Sequence, residues 1–222
     1  MSDHDGGDGD SPSDGGERPA DPDAYRTLSG RGRAEFTVDG SEFVGHAAPA
    51  TTVAEAEASI AEIREAFPDA THNVPAYRVN ADPFREYQSD EGEPSGSAGK
   101  PVLNVLQGRE LEDVVAVVTR YYGGTNLGIG GLVRAYSRAT TEAVDDAGTT
   151  WTVPRERLVV TVDYDDSGTV RGLLESAGVE FDADYEAEVR FGVQVPVRDV
   201  DALCDRLLSA TSGRADIERD TD

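Results

Sequence analysis

The run Val114-Val115-Ala116-Val117-Val118-Thr119-Arg120-Tyr121-Tyr122-Gly123-Gly124-Thr125-Asn126-Leu127-Gly128-Ile129-Gly130-Gly131 sets a β-branched segment directly before a glycine loop. Val114 to Thr119 show no alternation of polar and apolar residues. Such a segment predicts a strand buried on both faces, at the centre of a sheet. The glycines then predict a loop that feeds a helix over Leu132–Ala147. Leu132, Ala135, Ala139 and Ala143 share one side of that helix, and Gly148 stops it.

A central strand needs neighbours on both sides. Upstream, Glu35–Val38 and Ser41–Gly45 predict two short strands around the turn pair Asp39-Gly40. Thr52 and Glu55 form a capping box before a helix whose Val53, Ala56, Ile60, Ile63 and Phe67 share a face, and Pro68 ends it. Val74–Val79 predicts another strand. Residues 80–100 are rich in Gly, Pro, Ser and acids and are expected to be loop. Pro101 then starts a short helix through Val102, Leu103, Val105 and Leu106.

Downstream, Pro154 and the polar residues of 149–156 place a boundary, giving domains over 25–150 and 155–220. In the second, Leu158, Val160, Val162 and Tyr164 alternate as a strand. Val170, Leu173, Leu174 and Ala177 mark a helix, with Ser167 as its expected cap. Odd positions from Val179 to Val195 are all apolar, which predicts a hairpin with one buried face. Val200, Leu203, Leu207 and Leu208 mark a second helix, and Arg214–Glu218 a last strand. The order βαββαβ is ferredoxin-like, so the fold class is α+β.

The chain of 222 residues carries a net charge of −24. Lys100 is its only lysine. Acidic excess of this kind predicts a halophilic protein that stays hydrated in concentrated salt, where repulsion is screened. Residues 1–24 hold seven Asp and one Glu against one Arg, which predicts a disordered acidic tail. No apolar run is long enough to span a bilayer, so no membrane partner is expected. The polar, acidic start predicts no signal peptide and a cytoplasmic protein. Cys204 alone excludes a disulfide framework or a Cys-rich zinc site, and its apolar neighbours place it in the core. No metal or cofactor is expected. The overall field repels phosphate, which disfavours bulk attraction to nucleic acid.

Charge is unevenly spread. Residues 78–138 hold seven basic and eight acidic residues, a net of −1, against −23 in the remaining 161. Either an anionic ligand binds there or a buried sheet simply carries few charges. Ser95, Gly96, Gly99 and Lys100 form a glycine turn at a helix start, where free N–H groups suit an anion. It is not a Walker A loop, because Pro94 and Pro101 stand where that motif needs Gly and Ser or Thr. Gly123, Gly124, Asn126 and Gly128 form a second such turn, with Arg78, Arg120 and Arg134 as nearby cations. It lacks the third glycine of a dinucleotide fingerprint. Tight packing would also call for glycine at both turns. Asp90, Glu91 and Glu93 are candidates for acid–base or metal-binding work, or for capping and pairing with Arg120. His72 is a candidate acid–base group, or a hydrogen-bonded residue at a strand entrance.

The segment Ser89-Asp90-Glu91-Gly92-Glu93-Pro94-Ser95-Gly96-Ser97-Ala98-Gly99-Lys100-Pro101 resembles a signature of the YigZ/IMPACT family. Arg120 to Tyr136 resembles a second, and Ala70-Thr71-His72-Asn73 with Ala76-Tyr77-Arg78 a third. The resemblance covers about residues 25–147, and the βαββαβ tail matches the C-terminal domain of the bacterial branch. It implies an N-terminal domain like the βαβ folds of ribosomal proteins and elongation factors, and a C-terminal domain like elongation-factor domain V. The family usually has Asp at Glu91, Thr at Ser97, Phe at Tyr122 and Lys at Asn126, so this glycine loop lacks one cation.

The resemblance implies a translation-associated regulatory protein, non-enzymatic or weakly enzymatic, that binds RNA, the ribosome or a phosphorylated ligand through its glycine-rich face. The alternative is an enzyme acting on a phosphorylated or amino-acid-like small molecule, with His72, Asp90 and Glu93 as its chemical groups. The composition predicts that the melting temperature climbs steeply with added salt and that dialysis to low salt unfolds the chain. A melting temperature indifferent to salt would remove the halophilic reading.

Overall fold

The computed structural model describes residues 16–81 and 83–220. They divide into two compact units between Thr152 and Val153.

The first unit is built on strands β2 (Gly32–Val38), β3 (Ser41–Pro49), β4 (His72–Val79), β5 (Arg85–Gln88) and β6 (Val114–Tyr121). Their order is β2-β3-β6-β4-β5, with every neighbouring pair antiparallel. The β-branched run is thus the central strand, and all of β6 except Tyr121 is buried. Its two faces enter two cores. Val114, Ala116 and Val118 pack with Val102, Leu106, Leu132 and Tyr136 of helices α2 (Gly99–Gly108) and α3 (Gly128–Ala147). Val115 and Val117 pack with Ala56 and Ile60 of helix α1 (Val53–Ala66), and with Tyr77 and Val79.

Local chemistry sets the connections. Asp39 (φ 47°) and Gly40 (φ 82°) are both left-handed, as a two-residue hairpin turn requires. Thr52 accepts from the Glu55 N–H at 3.1 Å. The return arm of the capping box reaches one residue further back, where Glu55 accepts from Thr51 N at 2.7 Å. Helix α3 lies very close to the sheet. A Cβ on Gly45 would stand 2.2 Å from the Ala139 carbonyl oxygen, and one on Gly32 would stand 2.1 Å from that of Ala143. The alanine stripe of α3 exists because only small residues fit there.

The second unit has strands β8 (Arg155–Val162), β9 (Phe181–Tyr185), β10 (Val189–Pro196) and β11 (Asp216–Asp220), in the order β11-β8-β10-β9. With helices α4 (Tyr164–Ser176) and α5 (Val200–Ala210) this is the ferredoxin-like order. Leu158, Val160, Phe191, Val193, Leu174 and Leu207 fill its core, and Cys204 packs half-buried against it.

Several expectations are corrected. The loop expected over 80–100 contains β5, an edge strand whose four residues are all exposed and so lack an apolar signal. Helix α2 begins at Gly99 rather than Pro101, and α3 at Gly128 rather than Leu132. Helix α4 begins at Tyr164, so Ser167 is no cap; its hydroxyl donates to the Tyr164 carbonyl inside the first turn. Strands β1 (Tyr25–Leu28) and β7 (Thr149–Thr152) pair with each other and join the ends of the first unit. Of the acidic tail, residues 1–15 lie outside the described residues. Arg18 is anchored, because it donates to the Pro22 carbonyl and lies 5.3 Å from the Trp151 ring centre. Among the described residues no helix is long and apolar enough to cross a membrane.

His46 of β3 sits between Arg33 and α1, against the Phe67 ring, and its buried Nε2 has no hydrogen-bond partner. Burial, helped by Arg33 and opposed by Glu62, pushes its pKa down to about 4. The unfolded chain therefore takes up a proton near the ordinary value of 6.5, before the folded protein does. This site's contribution to stability is complete above that value and is lost as pH falls from about 6.5 to 4. Replacing it by leucine (His46→Leu) is expected to flatten that part of the stability–pH curve, read by denaturant titration. Parallel curves for the two proteins would overturn this.

Candidate functional site

Strand β6 ends at the side of the sheet where α2 and α3 begin. The pairing register puts Arg120 between Phe43 of β3 and His72 of β4. Side chains alternate along β6, so Arg120 points to the same face as Val118 and lies under α3. It is buried there.

Its guanidinium is divided between two partners. Nη1 donates to Glu93 Oε1 at 2.6 Å, and Nη2 donates to Ser41 Oγ at 3.3 Å. The Tyr136 hydroxyl donates to the same Glu93 oxygen at 2.6 Å. Burial, reinforced by the Glu93 carboxylate, pushes the Tyr136 phenol far up, so it remains a neutral donor. Phe43 closes the cluster, 5.4 Å from Tyr136 edge-to-face and 5.4 Å from the Arg120 guanidinium. Glu93 thereby ties the 89–98 loop, the central strand and α3 to one oxygen. Arg120 Nε is buried beside them with no partner. The ring of Tyr122, half exposed at the start of the glycine loop, lies 5.4 Å from the guanidinium.

His72 borders this cluster. Its Nδ1 lies 2.7 Å from the Glu91 carbonyl oxygen. A carbonyl only accepts, so Nδ1 carries the proton and Nε2 of the neutral ring presents a lone pair. Nε2 is 3.9 Å from Glu93 Oε1.

The three neighbouring carboxylates serve three different ends. Asp90 accepts from Gly96 N at 2.7 Å, Ala98 N at 3.1 Å and Gly99 N at 2.8 Å. Burial raises the Asp90 carboxyl, but the three donors outweigh it and hold it below the ordinary range. Glu91 pairs with Arg64 at 2.8 Å, and Glu93 belongs to Arg120. Among the described residues no three metal-ligating side chains converge.

This arrangement sorts the expected residues. His72, Glu93 and Arg120 come together beside the loop of Gly123, Gly124 and Asn126, while Asp90 is withdrawn from them as a cap. In the first glycine turn the N–H groups of Gly96 and Gly99 hold the chain's own Asp90. Ser95 is exposed on that turn, and Lys100 is exposed just inside α2. Gly123 is a packing residue, since a Cβ there would lie 1.9 Å from the Gly40 backbone. Arg78 is excluded from the cluster. It pairs in register with Val114, about 20 Å along the sheet from Arg120. There it donates to Glu86 and to the Leu111 carbonyl. Arg134 folds back over the first turn of α3, with Nη1 3.4 Å from where a Cβ of Gly130 would stand. Ser41 and Tyr136 were not among the expected residues. The signal for Tyr136 was a hydroxyl set within a stripe of alanines.

The fold and cluster define a two-unit α+β protein whose first unit joins a glycine-rich face to a buried Arg–Glu–Tyr core. Residues 39–144 match the Impact N-terminal domain, and residues 160–214 match a domain of unknown function, DUF1949. The chain is 34% identical over 196 residues to the IMPACT family member YvyE of Bacillus subtilis, covering 88% of this chain and 90% of that one. It is 34% identical over 177 residues to the IMPACT family member YigZ of Escherichia coli, covering 78% and 86%. A crystal structure of a hypothetical protein superposes with a TM-score of 0.66 at 29% identity, covering 88% of this chain and 96% of that one. The chain belongs to the IMPACT family.

Removing one partner of a buried ion pair leaves the other uncompensated, at a cost of about 3–5 kcal/mol. Arg120→Ala is expected to destabilise the first unit on that scale. Arg120→Lys should recover little, because lysine lacks the planar fork whose two separate nitrogens reach Glu93 and Ser41. Tyr136→Phe should cost about 1.5–3 kcal/mol, the range for a hydrogen bond to a charged group. Denaturant melts in high salt read all three, and changes below about 1 kcal/mol would refute the shared-carboxylate arrangement.

Proposed function

We propose that this protein is a translation-associated regulatory factor that binds the phosphate backbone of RNA, free or within the ribosome, at the N-terminus of α3. The carrying observation is the contrast between the two helix starts. The N–H groups that open α2 are taken by Asp90. The start of α3 has no side-chain cap and no acidic residue in its first turn. Gly128 leaves its backbone open, and Arg134 lies over Gly130. Among the described residues, Lys100 and Arg134 make no ion pair or side-chain hydrogen bond, so both cations are free for a phosphate. The translational setting follows from the family resemblance. With a net charge of −24, such binding has to be local and short-ranged.

A second reading, an enzyme acting on a phosphorylated small molecule, is favoured by the convergence of His72, Glu93 and Arg120. It loses Asp90 from its chemical groups.

Filter binding of structured RNA and ribosomes across a salt series tests the first reading. Arg134→Glu and Lys100→Glu are each expected to weaken binding to all RNA sequences alike, and to lower the slope of log K against log salt by about 1. Folded protein that retains nothing at any salt would eliminate the reading. In that case a thermal-shift screen of phosphometabolites tests the second, with a gain of about 2.7 kcal/mol at a hundredfold excess over Kd.

A further inference from the structure

The gap between His72 and Glu93 has its own chemistry. Nδ1 of His72 donates to the Glu91 carbonyl, so in the neutral ring it is Nε2 that offers a lone pair. Glu93 Oε1, 3.9 Å away, already takes two short bonds from Arg120 and Tyr136. Two acceptors thus face one another, and another acceptor placed between them would be repelled by both. The gap therefore selects a donor. A cationic donor meets the Arg120 guanidinium, which holds the same carboxylate oxygen at 2.6 Å. A neutral donor, a hydroxyl, meets no such penalty. The His72 side chain is 18% exposed, so the ring is partly open to solvent. Gly92 leaves the ring uncrowded, since even a Cβ there would stay 3.4 Å from Cε1.

The glycine loop is adjacent. Tyr122 N donates to Thr71 Oγ1 at 3.0 Å, next to His72 in β4. The Tyr122 hydroxyl donates to Asn126 at 3.2 Å, two residues before α3. A hydroxyl at His72 and an anion at the α3 start would thus lie on one continuous surface. A hydroxyl donor close to a phosphate is the chemistry of a ribonucleotide.

Resting on the phosphate-binding reading above, we propose that His72 Nε2 accepts the 2′-hydroxyl of RNA and makes this face discriminate RNA from DNA. The Glu91 carbonyl is the positioning group, because it fixes the ring's tautomer and aim. Glu93 discourages acceptors from entering.

Fluorescence anisotropy with a labelled oligouridylate, the matched oligodeoxyuridylate and the 2′-O-methyl oligouridylate, all at one salt concentration, tests this. The methyl ether keeps the oxygen but has no proton to donate. The wild-type chain is expected to bind the oligouridylate about three- to tenfold tighter than either analogue, the discrimination one hydrogen bond supplies. His72→Asn and His72→Phe should bring the oligouridylate down to the level of the analogues while leaving the analogues' affinities unchanged. That invariance also reports an intact anion site and an intact fold. Equal wild-type binding of the three probes, or discrimination that survives both substitutions, would overturn the role of His72 and leave phosphate binding standing. Absence of binding to all three would overturn both.

Discussion

One carboxylate oxygen carries this architecture. Glu93 Oε1 receives the guanidinium of the central strand and the phenol of α3 at the same distance, on a side chain that is almost wholly buried. A buried charge of this kind is tolerated only when its partners are complete. The condition forces three separate segments, the 89–98 loop, β6 and α3, to meet in one geometry. Asp90 imposes a similar condition three residues earlier by wrapping the loop around its own carboxylate. Loop, strand and helix are therefore fixed together before any ligand arrives.

Much of the fold was legible because it follows from periodicity. Val114–Thr119 could be read as a central strand since burial on both faces erases alternation. The odd-numbered apolar positions of 179–195 gave the hairpin of the second unit for the opposite reason. The elements that escaped lack such a signal. Arg85–Gln88 form an edge strand with no buried face, whose one strand partner among the described residues is β4. Strands β1 and β7 lie 121 positions apart by their Leu28–Thr149 pairing, and no local pattern links them. Helix α2 starts early because Asp90, eight residues before Ala98, caps it from a distance, and a cap search looks only at adjacent residues.

The candidate site was legible in composition and less so in roles. The near-neutral window did contain Glu93 and Arg120, which the fold brings together with His72 from just outside it. The window also contained Arg78, which pairing register carries to the opposite end of the sheet. Two glycine turns looked alike in sequence and differ in structure. One is filled by an internal carboxylate, and the other starts a helix without a cap. The difference lies in where Asp90 points, which is a property of the folded loop. Ser41 gave no warning at all, since a serine after a tight turn has many ordinary uses.

The close seating of α3 on the sheet has a consequence for how any ligand would be gripped. Gly32 and Gly45 let the helix backbone rest directly on β2 and β3 at Ala143 and Ala139. The far end of the helix is clamped, and Tyr136 is bolted to Glu93, so the first turn projects like a short cantilever from a fixed mount. Such a mount cannot swing to meet its cargo. A ligand bound at that tip would meet a rigid template, with little ordering entropy to spend on binding. A stiff tip would also resist misfit, so a ligand whose charges are spaced wrongly would be refused rather than accommodated.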